Sequence, residues 1–440
     1  MTEGNPRALI PILVFVILYL GLGIALEYGL GVQQGFYSIP VLLIFLIALA
    51  IAYMQTKVDS NERFSIMSKG VGDPNVFMMI LIFLCAGVFT GVMNKAGAES
   101  VANFVLTYVP MEYAVIVLFA VSAFVSISMG TSVGTITVIT PIAVSVSGIS
   151  GFDPALCVGT VIGGAMFGDN LSFISDTTIA ACNGQGCNMK DKFRENFWIA
   201  LPAAVATVII IALMTVFSGG GSGTAEEFNL VLVIPYLIVL FGGILGFNVF
   251  IVLAAGIVVG TVVMVATGTV DVLDVFPMIS AGMGGMLETA MVATLVSAIC
   301  ALIAFNGGFE ALLSWIKKVF KGRRGGMFGI GMLVSAMDVA TANNTVAIVM
   351  ANPIAKTISE EYDISPKRTA SLLDTFSCIM QGILPYGAQM LLALSTVAML
   401  GLSLSAFNII PYLIYPFMLL ISMLGFILFV PERKVMAEGK

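Results

Sequence analysis

Apolar runs of roughly 20 residues recur along the whole chain, and short polar segments separate them. A run of that length crosses the hydrocarbon core of a bilayer as one α-helix. The pattern therefore predicts an all-α polytopic membrane protein with fourteen crossings and no separate soluble domain. The predicted crossings cover residues 8–28, 37–54, 75–94, 112–128, 131–149, 155–182, 196–217, 228–247, 248–268, 287–304, 326–340, 342–357, 369–403 and 409–430.

Two of these segments, 155–182 and 369–403, are too long and too polar to be simple helices. The first contains "FGDNLSFISDTTIAACNG" (167–184), and the second contains "QGILPYG" (381–387). A glycine-marked polar interruption in each predicts a helix break near the middle of the membrane. Such a break frees backbone carbonyls and exposes half-helix dipoles, and both can coordinate an ion.

Polar hairpins accompany the two broken helices. They are "SMGTSVGT" (128–135) and "DVATANNT" (338–345), which are rich in threonine, serine and asparagine. Neutral oxygens of this kind suit a hard cation. We therefore expect four segments, two from each half of the chain, to converge on one polar region near the bilayer midplane.

The basic residues predict the orientation. Of the 19 lysines and arginines, all except Lys95 fall on the N-terminal side of the fourteen-crossing topology. Cytoplasmic loops carry the excess of basic residues, so both termini are expected in the cytoplasm. The apolar run at residues 8–30 is interpreted as the first span and not as a cleavable signal peptide, because it is too long and has no small-residue cleavage site.

Composition narrows the function classes. The chain is 59% hydrophobic and 10% charged, whereas soluble proteins carry about 25% charged residues. A net charge of −6 argues against a nucleic-acid partner. The sequence contains no histidine, so a transition-metal site is not expected and proton chemistry must use carboxylates. The six cysteines are interpreted as free thiols.

The two halves resemble each other at an offset of 210 to 212 residues. In this alignment Thr131 lies over Thr341, and Pro141 lies over Pro353 after a two-residue slip. The predicted topology runs each segment opposite to its partner, which is typical of secondary transporters. We therefore predict an inverted repeat of about 7+7 segments, with residues 1–217 and 228–440 as the halves and residues 218–227 as an outside linker.

Four aspartates lie within the predicted membrane depth: Asp169, Asp176, Asp338 and Asp374. We expect no lysine or arginine at that depth, so a cation or a proton must neutralise these acids. A buried carboxyl group can exchange a proton for a cation near neutral pH. Asp176 is the favoured exchange residue, because its neighbours could ligate an ion or orient the carboxylate. These neighbours are Ser175, Thr177 and Thr178.

Structural roles are the alternatives for some of these residues. Asp169 could cap the second half-helix, and Asp338 could cap the following hairpin. Asp374 could instead hydrogen-bond to a neighbouring helix. Asn343 and Asn344 are better functional candidates, because adjacent amides rarely serve packing alone. The expected polar lining of the hairpins and the second broken helix comprises Thr131, Ser132, Thr135, Asp338, Asn343, Asn344, Thr345, Asp374, Ser377, Gln381 and Tyr386.

The stretch "FGDNLSFISDTTIAA" resembles the signature of the NhaC-type sodium/proton antiporters, within the wider ion-transporter superfamily. "GTSVGT" and "ILPYGAQ" are also similar to that family, and the resemblance spans residues 75–430. It implies a sodium-coupled transporter with paired broken helices and hairpin segments. At matching positions it implies an ion site of Asp169, Ser172, Asp176, Thr177 and Thr178. The family usually has proline where this chain has Phe173.

The combined expectation is a secondary active transporter that exchanges Na⁺ and H⁺ on intramembrane aspartates. The alternative is a sodium-coupled carrier of an organic solute such as an amino acid or a carboxylate. An enzyme is not expected, because the sequence shows no nucleophile–base pair or metal-ligand set. No cofactor is expected besides Na⁺ as the transported or coupling ion. The expected location is a prokaryotic inner membrane, and a homodimer is left open.

Overall fold

The computed structural model of the chain describes residues 4–30, 40–173, 175–217, 224–245 and 247–430. These residues form helices joined by short turns, and no β-strand occurs among them. The predicted all-α membrane architecture is confirmed. Part of the predicted linker, residues 218–223, lies outside the described residues, as do residues 37–39 of the second predicted crossing and the basic C-terminal residues Arg433, Lys434 and Lys440.

The α-helices of the described chain are numbered in order. The first half contains α1 (Ile10–Ile24), α2 (Val41–Gln55), α3 (Ser60–Val71), α4 (Pro74–Tyr108), α5 (Ala114–Met129), α6 (Ser132–Ser150), α7 (Pro154–Leu171), α8 (Asp176–Gln185) and α9 (Met189–Phe217). The second half contains α10 (Leu230–Ile244), α11 (Val249–Ala266), α12 (Val275–Gly285), α13 (Leu287–Phe305), α14 (Gly308–Val319), α15 (Gly322–Thr341), α16 (Asn344–Glu361), α17 (Pro366–Ile383), α18 (Ala388–Met399), α19 (Ala406–Ile409) and α20 (Ile414–Phe429).

The number of membrane spans differs from the predicted fourteen. Within the described residues, nine helices are long and apolar enough to cross a membrane, or ten if the bent pair Ala406–Tyr412 and Ile414–Phe429 is one span. Every predicted crossing overlaps a helix. The difference arises because α2 and α10 are apolar but short, and because α15 and α16 carry charged and amide side chains.

Glu99 lies inside α4, although it falls between the predicted crossings 75–94 and 112–128. The helix has 35 residues, about 52 Å at 1.5 Å per residue, so it extends well past its apolar window Val76–Met93. The cause is local composition: the segment that follows this window contains several alanines and no proline, so the helix continues.

Both over-long spans are broken helices, as predicted. The first break separates α7 from α8 at residues 172–175, where the Ser172 backbone is extended. The second break separates α17 from α18 at residues 384–387 and contains Pro385. Proline cannot donate the backbone hydrogen bond that would continue a helix, so the second break has a local cause that the first lacks.

Two helical hairpins turn in the same way. Between α5 and α6 the chain reverses through Gly130 at φ +68°, and Thr131 then caps α6. Between α15 and α16 it reverses through Ala342 at φ +48°, and Asn343 caps α16. Alanine in the left-handed region carries strain that glycine avoids, so contacts around Ala342 must hold this turn.

Helix starts repeat at a constant distance. Helices α6, α7 and α8 begin at residues 132, 154 and 176, and α16, α17 and α18 begin at residues 344, 366 and 388, so each pair is 212 residues apart. Proline occupies the tenth position of both α6 and α16. The helix starts place Thr131 over Asn343, which corrects the sequence alignment of Thr131 with Thr341. The inverted orientation of the two sets stays a prediction.

Candidate functional site

Asp169 is the buried carboxylate at the first helix break. It lies in the last turn of α7, and its side chain is 4% exposed. Ser132, the first residue of α6, donates a hydrogen bond to Asp169 Oδ2 at 2.7 Å, and Ser175 donates one to Oδ1. The tip of the first hairpin and the first break therefore meet on this carboxylate.

Ser175 organises the start of α8. Its single hydroxyl proton goes to Asp169, so Thr177 must donate in the 2.7 Å contact between the Ser175 and Thr177 hydroxyl oxygens. The Ser175 oxygen also accepts from the Thr177 backbone N–H at 3.3 Å. Ser175 is thus the N-cap of the second half-helix. The capping role that the sequence allowed for Asp169 is wrong.

A chain of hydrogen bonds links Asp169 to the second half. Gln389, in the first turn of α18, donates to the Ser132 hydroxyl at 3.0 Å. Gln381, in the last turn of α17, donates to Gln389 Oε1 at 2.5 Å and to the Ala342 carbonyl at 3.0 Å. Both breaks and both hairpin tips are therefore joined in one buried network, which confirms the predicted convergence of the four polar segments.

Asp374 belongs to a different buried cluster, because Lys192 pairs with it. Both side chains are 1% exposed. The Lys192 ammonium also donates to the Asn170 carbonyl at 2.9 Å and to Thr178 Oγ1 at 2.7 Å. The expectation that no lysine or arginine reaches these acids is wrong for Asp374. The error has a structural origin: α9 begins at Met189, seven residues before the predicted span.

Asn196 lies one turn after Lys192 on α9 and extends this cluster. Its amide donates to Asp374 Oδ2 at 3.1 Å and to the Asn170 carbonyl at 3.2 Å. Ser371 of α17 donates to the Asn196 side-chain oxygen. Asp374 thus has a charged partner and an amide partner, whereas no described lysine or arginine forms an ion pair with Asp169. The alternative structural role of Asp374, a bond to a neighbouring helix, is what the structure contains.

A second buried pair lies beyond this cluster. Arg368, near the start of α17, forms an ion pair with Glu195 of α9, and the arginine is 4% exposed. Two ion pairs therefore connect α17 to α9. They place fixed positive charge on the buried faces of both helices.

Asp338 is the third buried aspartate. It lies in α15, one turn before Ala342, and is fully buried. Neither of its carboxylate oxygens has a hydrogen-bond partner among the described residues. Asn343 supplies the N-cap of α16, so the capping role considered for Asp338 is wrong. The nearby Tyr386 hydroxyl donates to the Val339 carbonyl at 2.8 Å.

Asp176 and Phe173 face outward. Asp176, the first residue of α8, is exposed, in contrast to Asp169. Phe173 is 44% exposed, and its ring stacks on Phe193 with centroids 4.3 Å apart. Phe173 therefore packs against α9. The first break depends on the Ser172 and Ser175 backbone and caps.

The other predicted residues hold the framework around the network. Thr131 and Asn343 cap the second helices of the hairpins. Thr135, Ser172 and Ser377 donate to the backbone carbonyls of Thr131, Ile127 and Asp374. Asn344 accepts from the Thr345 backbone N–H. Thr178 contacts Lys192 and not Asp169.

Sequence reasoning missed the polar residues that complete these clusters. They are Asn170, Lys192, Asn196, Ser371, Thr375 and Gln389. Lys192 and Asn196 are four residues apart, which places them on one helix face, and that spacing was the available signal. It was hidden because the cluster of basic residues around Lys192 has the pattern of a cytoplasmic loop.

Two cavities approach the network. One, of about 670 Å³, is lined by Tyr19, Glu288, Thr289, Pro385 and Ser395 among others. A second, of about 180 Å³, is lined by Cys300, Thr341, Asn343, Lys69 and Asp73 among others. Pro385 belongs to the second break, and Thr341 and Asn343 flank the second hairpin tip, so both cavities reach toward the predicted ion region.

The Asp169 cluster has the chemistry of a cation site. It gathers two carboxylate oxygens and three hydroxyl oxygens, from Ser132, Ser175 and Thr177, in a buried position. Hard cations prefer such oxygen ligands. Because the hydroxyls can rotate, their protons can leave the centre and present lone pairs to an ion. A carboxyl group in such a position can be neutralised by a cation or by a proton.

Comparison with known proteins gives a consistent picture. The model of the family described as "Na+/H+ antiporter family" matches residues 6–219 and 227–431. The Na⁺/H⁺ antiporter NhaC of Alkalihalophilus pseudofirmus is 23% identical over 89% of this chain and 89% of its own length. The NhaC of Bacillus subtilis is 21% identical over 73% and 79%. The Bacillus subtilis malate-2H⁺/Na⁺-lactate antiporter is 23% identical over 48% and 45%.

Proposed function

The chain belongs to the Na⁺/H⁺ antiporter family, and on that premise we propose that Asp169 is the residue on which Na⁺ and H⁺ compete. One observation carries the assignment. Asp169 is buried among hydroxyl oxygens at a helix break and has no described cationic partner, whereas Asp374 is neutralised by Lys192. A buried carboxylate without a fixed counter-ion must hold a mobile one.

Exchange follows from this competition. Na⁺ binds to the Asp169 carboxylate with the hydroxyl oxygens of Ser132, Ser175 and Thr177 as further ligands. Uptake of a proton by Asp169 removes the charge that holds Na⁺, and the ion leaves. Asp176, exposed at the start of α8, acts at the mouth of the site, where its negative charge attracts cations. One site that binds either ion, exposed alternately to each side, gives antiport.

Alternating access is proposed to come from two inverted halves, residues 1–217 and 228–440, joined by residues 218–227. The constant 212-residue spacing of helix starts supports a duplicated unit. The hydrogen-bond chain from Asp169 through Gln389 to Gln381 supports a site between the halves. Movement of one half against the other would open the two cavities in turn.

The protein is an integral membrane protein. We place it in the inner membrane of a prokaryote with both termini in the cytoplasm. The support is the distribution of lysine and arginine: without Lys192 and Arg368, which are buried in ion pairs, 16 of the remaining 17 fall on one side of the predicted topology. This sidedness would be the same if the hairpins α5–α6 and α15–α16 were re-entrant. A re-entrant hairpin enters and leaves the membrane at one face, so the segments on either side of it stay on that face.

The test is Na⁺-dependent proton movement in everted vesicles that carry a pH-sensitive dye. Wild type is expected to release the pH gradient when Na⁺ is added, and Asp169→Asn is expected to abolish the response. Asp176→Asn is the matched control, since the same change at an exposed carboxylate should retain most of the flux. Normal Na⁺-dependent flux in Asp169→Asn, with equal protein in the membrane, would refute the assignment.

A second candidate function is sodium-coupled transport of an organic solute. The cavity of about 670 Å³ is much larger than Na⁺ requires and lies in the size range of small-molecule sites. The similarity to a malate and lactate antiporter over about half of the chain points the same way. Thermal-shift screening of amino acids and carboxylates, with and without Na⁺, separates the two functions. Sodium-dependent stabilisation by a solute would favour the carrier.

A further inference from the structure

The second helix break contains three buried oxygen atoms without hydrogen-bond partners among the described residues. They are both carboxylate oxygens of Asp338 and the side-chain oxygen of Gln381. Both residues are 0% exposed, and the donor closest to the Asp338 carboxylate is the Gln381 backbone N–H, which does not meet hydrogen-bond geometry. Buried acceptors are rarely left unpaired, because each loses its hydrogen bonds to water. What the group lacks is a donor.

The surroundings offer further acceptors in place of donors. Asp338 lies in the last turn of α15, where the helix dipole is negative. The carbonyls of this turn are already engaged: Tyr386 donates to Val339 at 2.8 Å, and the Cys300 thiol donates to Ala340 at 3.0 Å. A negative charge on Asp338 therefore has no side-chain donor and no favourable helix end to stabilise it, and only the Gln381 backbone N–H lies beside it.

No fixed positive charge faces Asp338 from the helices packed against α15. The ionisable side chains close to it are Cys300 of α13 and Tyr386 at the second break. Arg368 of α17 is engaged with Glu195, and Asp374 with Lys192. Most of the described charged residues of α13, α14 and α16 lie in the terminal turns of these helices: Glu288, Glu310, Lys318, Glu360 and Glu361. Lys356 lies further inside α16 and is exposed.

We propose that Asp338 carries a transported proton of its own and donates it to the Gln381 side-chain oxygen. This inference rests on the proposed antiport function. A proton satisfies Asp338 and Gln381 together with one hydrogen bond. Na⁺ is disfavoured there, because the pair supplies three free oxygen atoms and hard cations take about six oxygen ligands. The chain therefore has a cation site at Asp169 and a proton site at Asp338.

The two sites are physically connected. Gln381 donates to Gln389, Gln389 donates to Ser132, and Ser132 donates to Asp169. Every donor in this row of hydrogen bonds points toward Asp169. A proton on Asp338 and a negative charge on Asp169 therefore favour the same direction of these hydrogen bonds. Loss of the Asp338 proton removes the donor that holds the Gln381 oxygen and weakens that orientation. The row of hydrogen bonds thus couples proton occupancy at Asp338 to Na⁺ binding at Asp169.

Two cavities are lined by neighbours of Asp338. One turn beyond Asp338, Thr341 lines the cavity of about 180 Å³ together with Cys300. Tyr19 and Pro385 line the cavity of about 670 Å³, and the Tyr19 ring lies 6.2 Å from the ring of Tyr386. These cavities are the proposed routes by which protons reach Asp338.

The first test measures the number of protons exchanged per Na⁺ in proteoliposomes, from the Na⁺ gradient at which net flux stops against a fixed pH gradient at zero membrane potential. Asp338→Asn, which resembles the protonated carboxyl, is expected to retain Na⁺-for-Na⁺ exchange and to lower the proton-to-sodium ratio by one. An unchanged ratio in Asp338→Asn overturns the inference and leaves the proposed function standing. If wild type exchanges no protons for Na⁺, both fail.

A second test needs no variant, so a folding defect cannot obscure it. Dicyclohexylcarbodiimide modifies protonated carboxyl groups in apolar surroundings, and peptide mass spectrometry locates the adduct. In wild type we expect labelling at Asp338 that falls as the pH rises and that changes when Na⁺ is added. Labelling at Asp338 that depends on neither pH nor Na⁺ indicates a permanent structural proton and overturns the proposal. Absence of labelling at any pH does the same.

Discussion

Replacing Lys192 by methionine removes the positive charge from a buried ion pair. The lysine is 1% exposed, pairs with Asp374, and donates to the Asn170 carbonyl at 2.9 Å and to Thr178 at 2.7 Å. Methionine fills a similar volume but donates nothing. Asp374 keeps only the Asn196 amide at 3.1 Å, and its Oδ1 atom already has no partner among the described residues.

The expected loss is large. Removing one member of a buried ion pair costs about 3–5 kcal/mol, because the remaining charge stays buried without compensation. Replacing both members by apolar side chains is often neutral or stabilising. Lys192→Met/Asp374→Leu should therefore be more stable than Lys192→Met by at least ~2 kcal/mol.

The assay is equilibrium unfolding in mixed micelles with increasing sodium dodecyl sulfate, followed by tryptophan fluorescence. Trp198, one of two tryptophans, lies on the same helix as Lys192 and reports on it. Lys190→Met is the matched control, because Lys190 is exposed and should change the free energy of unfolding by less than about 0.5 kcal/mol. A decrease of less than about 1 kcal/mol in the free energy of unfolding of Lys192→Met would refute the reasoning. So would a double variant whose decrease equals the sum of the decreases in the two single variants.

Two further predictions follow from local contacts. Gly184→Ala should lower the free energy of unfolding by about 1–3 kcal/mol, because the new methyl group overlaps Asn352. Asn352 cannot easily move away, since hydrogen bonds to Gln185 and to the Ala180 carbonyl hold it. Gly148→Ala, with open space around it, should be neutral or stabilising, and equal thermal shifts for the two variants would contradict this. Cys187 lies between α8 and α9, and its pKa is lowered because Cys182 hydrogen-bonds to its thiolate. A membrane-impermeant maleimide should therefore label Cys187 quickly, and only from the cytoplasmic face. Labelling from the outside would contradict the proposed orientation.

The positions of both breaks and both hairpins could be predicted from the sequence. Glycine, proline, and clusters of serine and threonine interrupt apolar runs for reasons that depend on neighbouring residues alone. The helix bounds around Ser175 and Pro385 agree with that prediction. Helix ends without such signals were less predictable. The α4 helix continues through Glu99, and α9 begins before Lys192, because nothing in either segment opposes the helical backbone.

The partners of the buried acids were not predictable in this way. Asp169 and Asp374 both occur in polar stretches of broken helices, and the sequence gives no reason to separate them. Tertiary packing does so, because it brings α9 and Lys192 against Asp374 and brings the first hairpin tip against Asp169. Asp176 shows the same limit, since its sequence neighbours favour an ion site while its position in the fold is exposed.

The sequence by itself determined that this is a helical membrane protein, where its helices break, and which residue types could exchange a cation for a proton. These properties depend on hydropathy and local backbone preferences, which act over a few residues. Only the tertiary structure decided which acid is paired, which is exposed and which has no partner. Charge compensation inside a membrane protein depends on contacts between residues more than 150 positions apart, such as Lys192 and Asp374, and no local pattern encodes them.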